Sequence, residues 1–328
     1  MVGLLGERLK EKGAITPGEL RMALERQRMY GGRLGSNMVA LGLFSDEELA
    51  HYFRFRPPAP QQLEDTGLDI KFLTELALKH FVFTKNFTLQ QLSDRLKLPQ
   101  SVVNKILENL RQEGAVEITR GKNTFAEMSY LYAVSDRGVQ RGMDALSFCA
   151  DVGPAPVSLE YYRMSVEVQT VRSISVDEKS VLKGFDHLVL NQNNLKRIGG
   201  AISSGKPIFI YGSAGNGKTT VAETIGKLLP GTVYIPHAVL ACGQIIVLYD
   251  EMNHKIIESE DNDISIDQRW VQINRPVILT GGEMSLKTLD LNYNPHSRFY
   301  EAPLQMKANN GLFIVDDFGR QLVDPHIL

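Results

Sequence analysis

The stretch GSAGNGKTT, which begins at Gly212, constrains the fold of this chain more than any other feature. It satisfies GxxxxGK(S/T), with the apolar run KPIFIY before it and VAETIGKLL after it, so a strand, a loop and a helix are predicted. Glycines let such a loop curl so that backbone N–H groups and the helix N-terminus face phosphate oxygens. Lys218 would bridge the β- and γ-phosphates, and the Thr219 hydroxyl would coordinate Mg²⁺. The predicted triphosphate contacts are Gly212, Ser213, Ala214, Gly215, Asn216, Gly217, Lys218, Thr219 and Thr220.

A second motif, GLFIVDDFG at residues 311–319, supplies the carboxylates that a phosphate-binding loop needs. Its apolar residues predict a buried strand that ends at Asp316 and Asp317. Asp316 would orient Mg²⁺ and its water shell, while Asp317 would polarise the attacking water. We therefore predict ATP and Mg²⁺ as cofactors, Thr219 and Asp316 as metal-binding residues, and Lys218 and Asp317 as catalytic residues. The alternative is an acidic turn that binds nothing.

Strands and helices alternate in the prediction for residues 175–328. SGKPIFIYG predicts a buried strand, GKTTVAETIGKLL a helix, and TVYIPH, GQIIVLYD and RPVILTGGE further strands. Such alternation indicates an α/β fold with a parallel sheet. The expected fold class of this region is an α/β P-loop NTPase.

An internal repeat occupies residues 1–56. The segments that start at residues 4 and 33 align without gaps at an offset of 29, which places Gly13 on Gly42. Each copy predicts a short helix, a glycine stop, a capping residue and a second amphipathic helix, with the caps at Thr16 and Ser45. A small all-α repeat domain is therefore expected.

Residues 67–150 predict a winged helix-turn-helix domain. KFLTELALKHFVF, FTLQQLSDRLKLP and QSVVNKILENLRQEG predict three helices, and AVEITRG and SYLYAVSD predict two strands around a basic turn. This is the element order of that domain class. Proline-bearing linkers are predicted on either side of it, at residues 57–66 and 151–174.

The composition excludes several classes of protein. With 43% hydrophobic residues and a net charge of −2 in 328 residues, the chain matches neither a disordered protein nor one with a global basic field. Cys149 and Cys242 stand alone, without disulfide or zinc spacing. The N-terminus lacks the apolar core of a signal peptide, and no run approaches the ~18 apolar residues of a membrane span. We expect a cytoplasmic protein without membrane insertion.

The pairing of YGSAGNGKTT with GLFIVDDFGR, joined by RPVILTGGE and LDLNYNPHSRFYEAPLQMKANNG, resembles a bacterial group of AAA+ ATPases described as predicted ATPases with chaperone activity. The resemblance covers about residues 153–328. It implies a homo-oligomeric ring that couples ATP hydrolysis to the remodelling of a protein client, which the resemblance does not identify.

Two features depart from the AAA+ pattern. Asp316 follows Lys218 by 98 residues, which predicts a hairpin insertion near residues 268–280. The chain ends 11 residues after Asp317, before the positions of the family's sensor strand, arginine finger and lid, and Arg298 and Arg320 are predicted to be exposed surface residues. We therefore expect a C-terminally truncated AAA+ core with unpaired strand edges and an uncovered apolar face. Nucleotide binding is expected, and hydrolysis by this chain alone is left open.

The duplicated N-terminal pattern resembles the N-terminal domain of type II secretion and type IV pilus assembly ATPases, in which such motifs can bind cyclic di-GMP. The second copy keeps the arginine, leucine and glycines of the motif, and the first keeps its glutamine. The resemblance implies cyclic di-GMP as a candidate ligand of Gln27, Arg33, Leu34 and Gly35. A protein-docking module whose leucines only form a core is the alternative.

The predicted recognition helix of the winged helix carries polar residues suited to DNA. They are Gln100, Asn104, Lys105, Asn109, Arg111 and Gln112, and the wing adds Arg120 and Lys122. Glu108, Glu113 and Glu117 offset the positive charge on which DNA affinity depends. Three hypotheses follow: an AAA+ ATPase acting on a protein client, a DNA-binding regulatory ATPase, and a cyclic di-GMP-responsive adaptor with a non-hydrolysing P-loop domain.

Overall fold

The computed structural model describes residues 9–10, 13–31, 34–44, 55–119, 130–171, 176–257 and 264–322. The chain divides into two units, residues 1–55 and residues 56–328. No helix in the described parts is both long enough and apolar enough to cross a membrane.

The first unit contains α1 (Pro17–Tyr30) and α2 (Leu34–Ala40). Thr16 caps α1: its hydroxyl accepts the Glu19 N–H at 3.3 Å, and the Glu19 carboxylate accepts the Thr16 N–H at 2.8 Å. The predicted cap at Thr16 is therefore confirmed. The second predicted cap, Ser45, lies outside the described residues.

Equivalent positions in the two repeat copies adopt the same backbone turn. Gly13 and Gly42 have φ angles of 65° and 68°. In each copy the residue after the glycine donates its N–H to the carbonyl of a buried residue, Leu9 at 2.9 Å in the first copy and Met38 at 3.0 Å in the second. The repeat seen in the sequence is therefore present in the backbone of the described residues.

The second unit begins with the region predicted as a winged helix. Its elements are α3 (Ile70–Phe83), β1 (Asn86–Thr88), α4 (Leu89–Leu96), α5 (Gln100–Gln112), β2 (Val116–Thr119), β3 (Leu131–Val134) and α6 (Asp136–Phe148). The three predicted helices are present as α3, α4 and α5, and the two predicted strands as β2 and β3. Together with β1, these strands form an antiparallel sheet in the order β1-β3-β2. The helices bury one continuous apolar cluster that includes Leu73, Phe81, Leu92, Val103 and Leu107.

The sequence prediction missed β1 and α6. Gly138 and Gly142 make α6 a poor helix by propensity alone. Gly142 allows close packing on α3, because a Cβ there would lie 2.5 Å from Val82 and 2.8 Å from the Leu78 carbonyl, and Gly138 allows close approach to Ala115 and Val134. Tertiary packing therefore overrides the weak local preference.

The rest of the second unit is mixed α and β. Its elements are β4 (Val157–Ser158), α7 (Leu159–Val168), α8 (Glu178–Gly184), α9 (Gln192–Ser204), α10 (Lys218–Leu228), β5 (Thr232–Pro236), β6 (Ala238–Ala241), β7 (Gln244–Val247), β8 (Trp270–Asn274), β9 (Val277–Thr280), α11 (Leu286–Leu289), β10 (Asn292–Asn294), β11 (Phe299–Glu301), α12 (Leu304–Lys307) and β12 (Leu312–Val315). They form a five-stranded sheet in the order β10-β11-β7-β6-β4, an antiparallel pair β5-β8 and a parallel pair β9-β12. The predicted parallel sheet is therefore only partly present among the described strands: β4-β6, β7-β11 and β9-β12 pair in parallel, and the other pairs are antiparallel.

Two local predictions in this region are corrected. Residues 151–174, predicted as a linker, contain α7 and also β4, which pairs in parallel with β6. The predicted hairpin near residues 268–280 is wrong, because β8 pairs with β5 and β9 pairs with β12. The hairpin is formed instead by β6 and β7, and its turn residues Cys242 and Gly243 have φ angles of 50° and 75°. Positive φ at both turn residues matches the turn type that two-residue hairpins favour.

The predicted buried strand that precedes the phosphate-binding loop is also wrong. Residues 207–212 form no ladder with any described strand. Phe209 and Tyr211 are 70% and 84% exposed, while Ile210 packs against a buried cluster. The apolar composition is that of a strand, but strand formation requires a hydrogen-bonded neighbour, which this segment lacks among the described residues.

A buried ion pair joins the helical and sheet parts of the second unit. The side chains of Arg269 and Asp267 are each 1% exposed, and their closest atoms, Nη2 and Oδ2, are 2.8 Å apart. Arg269 Nη1 also donates to the carbonyls of Thr66 at 3.1 Å and Pro156 at 3.0 Å. Three distant segments therefore meet at one guanidinium group.

Candidate nucleotide-binding site

The loop of residues 212–217 leads directly into the first turn of α10. Gly217 caps α10 with a φ of 68°, and Gly215 has a φ of 82°. A Cβ at either glycine would meet no atom within 4 Å, so the backbone angle, and not lack of space, accounts for glycine there. The first N–H groups of α10 have no partner inside the helix and carry the positive end of its dipole, which suits an anion.

The decisive contact joins the loop to β12. Thr219 Oγ1, in the first turn of α10, lies 2.7 Å from Asp316 Oδ2, at the residue that follows β12, across 97 positions of sequence. A hydroxyl beside a carboxylate, next to a phosphate-binding loop, is a suitable oxygen-donor set for Mg²⁺, which also takes ligands from phosphate and water. The predicted metal residues Thr219 and Asp316 therefore lie together.

The framework around this contact is held by parallel strand pairing. Asp316 N–H donates to the Thr280 carbonyl at 2.8 Å, which extends the β9-β12 ladder to the candidate metal residue. α10 packs closely on the same strands, since a Cβ at Gly226 would lie 2.6 Å from Val277. The start of α10 and the end of β12 are therefore fixed by neighbouring contacts.

Lys218 lies over the loop itself. Its Nζ donates to the Ser213 carbonyl at 3.1 Å. The ammonium group therefore sits beside the loop backbone, where the predicted phosphate contacts lie. Thr220, the last predicted contact, is exposed, and its carbonyl accepts a hydrogen bond from the Thr224 hydroxyl at 2.7 Å.

Asp317 occupies a strained position after the strand. Its φ is 51°, its N–H donates to Asp316 Oδ1 at 2.9 Å, and its side chain is 66% exposed. Arg320 Nη1 lies 3.9 Å from Asp317 Oδ2 and is itself exposed, as is Arg298. The prediction that Arg298 and Arg320 are surface arginines is confirmed.

Gln321 is a site residue that sequence reasoning missed. Its Nε2 donates to the carbonyls of Asp316 at 2.6 Å and Asp317 at 3.0 Å, and its Oε1 accepts the Gly319 N–H at 2.7 Å. These three bonds hold the turn that carries both carboxylates. No spacing rule marks a glutamine at this position, so the sequence contained no usable signal.

Glu283 is a second residue, after Gln321, that the sequence reasoning did not single out. It follows β9, the strand beside β12, and its Oε1 accepts the Gly281 N–H at 2.8 Å and the Thr280 hydroxyl at 3.2 Å. The bond from the Gly281 N–H is the main cause that lowers the pKa of Glu283. Carboxyl ends of adjacent parallel strands meet at one sheet edge, which was the available signal.

The residues predicted to bind cyclic di-GMP are only partly described. Arg33 lies outside the described residues. Gln27 is half-buried on α1, and Leu34 packs against the core of the first unit at the start of α2, next to Gly35. Cyclic di-GMP binding therefore stays a prediction.

The residues predicted to contact DNA lie mostly on the outer face of α5. Lys105, Arg111 and Gln112 are exposed, and Asn104 and Asn109 are half-buried. Other protein groups already engage part of this face: Asn104 donates to Glu108 at 2.9 Å, Ser101 donates to the Gln61 carbonyl at 3.1 Å, and Gln100 bonds to Gln90. Arg120 and Lys122 lie outside the described residues, so DNA binding also stays a prediction.

No family model matches the chain, and no curated protein matches it. Among the described residues, no group of three His, Cys, Asp or Glu side chains could hold a metal ion, and Cys149 and Cys242 are free thiols. The function is therefore inferred from the geometry of the loop and its carboxylates.

Proposed function

We propose that the second unit binds Mg-ATP as a P-loop ATPase module of AAA+ type. The observation that carries this proposal is the 2.7 Å contact between Thr219 and Asp316. A glycine-rich turn that bound no ligand would not require a hydroxyl and a carboxylate 97 residues apart in sequence to meet beside it.

The residues divide the chemistry among them. The loop N–H groups and the N-terminus of α10 bind the phosphates, and Lys218 places a cation beside the transferred group. Thr219 and Asp316 would hold Mg²⁺, which would neutralise charge on the phosphate oxygens. Asp317 accepts a proton from the water that attacks the γ-phosphorus, and ADP leaves as the bond from this phosphorus to the bridging oxygen breaks. Gln321 holds the turn from which Asp317 projects.

The proposal extends to the biological role. By its resemblance to AAA+ ATPases, the protein forms a cytoplasmic homo-oligomeric ring in its working form and couples the nucleotide state to remodelling or regulation of a protein client. The first unit and the helical region with α5 then act as docking or sensory modules. Cyclic di-GMP and DNA are the candidate signals for these modules.

The test is a titration with a fluorescent ATP analogue, with and without Mg²⁺. Lys218→Ala is expected to weaken binding on the order of tenfold or more, because a charged hydrogen-bond donor to phosphate is lost. Lys227→Ala is the matched control, since Lys227 is an exposed lysine at the other end of α10. Equal affinity in wild type and Lys218→Ala would overturn the proposal.

A further inference from the structure

Arg275, two residues before β9, binds carbonyl groups of three segments that are far apart in the chain. Its Nε donates to the Pro230 carbonyl at 2.9 Å, and its Nη1 donates to the carbonyls of Gln169 at 3.1 Å and Asn310 at 2.5 Å. Gln169 is the residue that ends α7, Pro230 follows α10 by two residues, and Asn310 precedes β12 by two residues. One guanidinium group therefore joins the ends of three elements.

The positive charge of Arg275 suits this position. The carbonyl groups at a helix C-terminus have no partner inside the helix and carry partial negative charge, and two of the three segments follow the C-termini of α7 and α10. Arg275 is half-buried, and burial lowers its pKa to about 10, so the guanidinium group stays charged at neutral pH. Hydrogen bonds from a charged donor are stronger than those from a neutral one. The three segments are therefore held by charge-assisted hydrogen bonds.

α10 and β12 are joined at both of their ends. At one end, Thr219 Oγ1 in the first turn of α10 lies 2.7 Å from Asp316 Oδ2, directly after β12. At the other end, Arg275 binds the carbonyl that follows α10 and the carbonyl that precedes β12. α10 has 11 residues, so at about 1.5 Å per residue the two junctions are roughly 16 Å apart. Two elements joined at both ends cannot pivot against each other unless one junction breaks.

The segment that leads into β12 is held at neighbouring positions as well. Asn309 Nδ2 donates to the Tyr162 hydroxyl at 2.7 Å, which ties this segment to α7. A Cβ at Gly311 would lie 2.0 Å from the Pro276 carbonyl, so the two backbones pass directly against each other. The Leu312 N–H donates to the same carbonyl at 2.8 Å. The start of β12 is therefore fixed against α7 and against the start of β9.

We propose that Arg275 is a positioning residue for the Mg²⁺ site of Thr219 and Asp316, an inference that rests on the proposed nucleotide-binding function. The groups that bind phosphate belong to α10 and its loop alone, whereas the metal residues come from both α10 and β12. By joining the far ends of these two elements, Arg275 fixes how closely the hydroxyl and the carboxylate approach. A displacement of about 1 Å caused by a distant change can reduce activity on the order of a hundredfold.

The test measures binding of a fluorescent ATP analogue to the full-length protein with and without Mg²⁺. The ratio of the two affinities is the Mg²⁺ gain. Arg275→Lys keeps a positive charge, but one ammonium group cannot donate in the fixed directions of two guanidinium nitrogens. This variant is expected to reduce the Mg²⁺ gain on the order of tenfold, because the metal residues lose their alignment. Its affinity without Mg²⁺ is expected to stay within about twofold of wild type, because the loop and α10 are unchanged.

Arg269→Lys is the matched control. Arg269 also binds carbonyl groups of distant segments, those of Thr66 and Pro156, and it is more deeply buried than Arg275. Neither carbonyl lies next to α10 or β12, so Arg269→Lys is expected to lower stability and to keep the full Mg²⁺ gain. An equal reduction of the gain in both variants would show that lost stability is the cause, and would overturn the inference.

Tyr162→Phe provides a second, milder change at the same junction. It removes the hydroxyl that binds Asn309 and leaves the ring in place, so the Mg²⁺ gain is expected to fall by about two- to fivefold. Circular dichroism shows whether each variant folds. A full gain in Arg275→Lys, or in Tyr162→Phe where Arg275→Lys does not fold, would overturn this inference alone. Wild-type protein without any Mg²⁺ gain would overturn the proposed function together with it.

Discussion

Arg269 shows how much of this structure depends on single side chains. Its guanidinium group bonds Asp267 and the carbonyls of Thr66 and Pro156, and it is buried. Arg275 has a similar role: it donates to the carbonyls of Pro230, Gln169 and Asn310, and burial lowers its pKa to about 10. The sequence motifs assign no role to either arginine. Their importance follows from the carbonyl groups that the fold brings around them.

Arg269→Ala is expected to reduce the free energy of unfolding by about 3–5 kcal/mol, because it leaves the buried Asp267 carboxylate without its cation. Urea denaturation followed by the fluorescence of Trp270, the sole tryptophan, measures the change. Arg320→Ala, at an exposed arginine with only a long contact to Asp317, is the control and is expected to change stability by less than about 1 kcal/mol. A similar loss in both variants would contradict the argument.

Gln321→Ala is expected to weaken Mg²⁺-dependent ATP binding roughly tenfold while leaving Mg²⁺-free binding unchanged. The physical reason is that Gln321 fixes the carbonyls of Asp316 and Asp317 and so orients the candidate metal carboxylate. Titrations with and without Mg²⁺ separate the two effects. Gln305→Ala, which removes an amide that bonds the Leu289 carbonyl, serves as the control. Equal losses with and without Mg²⁺ would assign Gln321 a general structural role.

Among the elements, the β5-β6 corner contains a half-buried histidine. His237 lies between the two strands, donates its N–H to the Arg269 carbonyl at 3.0 Å, and places its ring 5.4 Å from that of Tyr249. Burial, with a smaller effect from Lys97, lowers the pKa of His237 from 6.5 to about 4. The corner therefore requires the neutral imidazole.

The stability of the second unit is expected to fall as the pH falls from 6.5 to about 4. In this window the unfolded chain protonates His237 and the folded chain does not, so protons favour unfolding, by up to about 3 kcal/mol. Above pH 6.5 the contribution is fully present. Comparing wild type with His237→Phe by urea denaturation across this range isolates the effect. An unchanged pH slope in the variant would contradict it.

At the scale of the whole molecule, the chain has two units with separate cores. The first core contains Leu9, Ile15, Ala23, Met38 and Phe44 among the described residues. The second unit has a much larger buried cluster formed with α3, α4 and α5, and its helical and sheet parts share the Arg269 junction. A small core stabilises a fold less than a large one.

Thermal unfolding is expected to show two transitions. Helical circular dichroism reports both units, whereas Trp270 fluorescence reports only the second, so the first unit is expected to melt earlier and without a fluorescence change. Met38→Ala is expected to lower only the earlier transition, because Met38 is fully buried in the first core. Coincident transitions by both probes would show that the units unfold together.

Local pattern alone determined several parts of this protein. Glycines and an apolar helix predict the turn at Gly217 and the start of α10, and Thr16 with Glu19 predicts the cap of α1, because these features need only neighbouring residues. The repeat placed Gly13 and Gly42 in the same turn for the same reason. These predictions required no knowledge of distant contacts.

Only the tertiary structure decided which strands pair and which residues meet. It brought Thr219 to Asp316 and bonded the Gln321 amide to the carbonyls of Asp316 and Asp317. It also left residues 207–211 without a neighbouring strand among those described. The physical reason is that ladder bonds and buried ion pairs join residues far apart in the chain. A short apolar run fits a buried strand and an unpaired segment equally well until its neighbours are known.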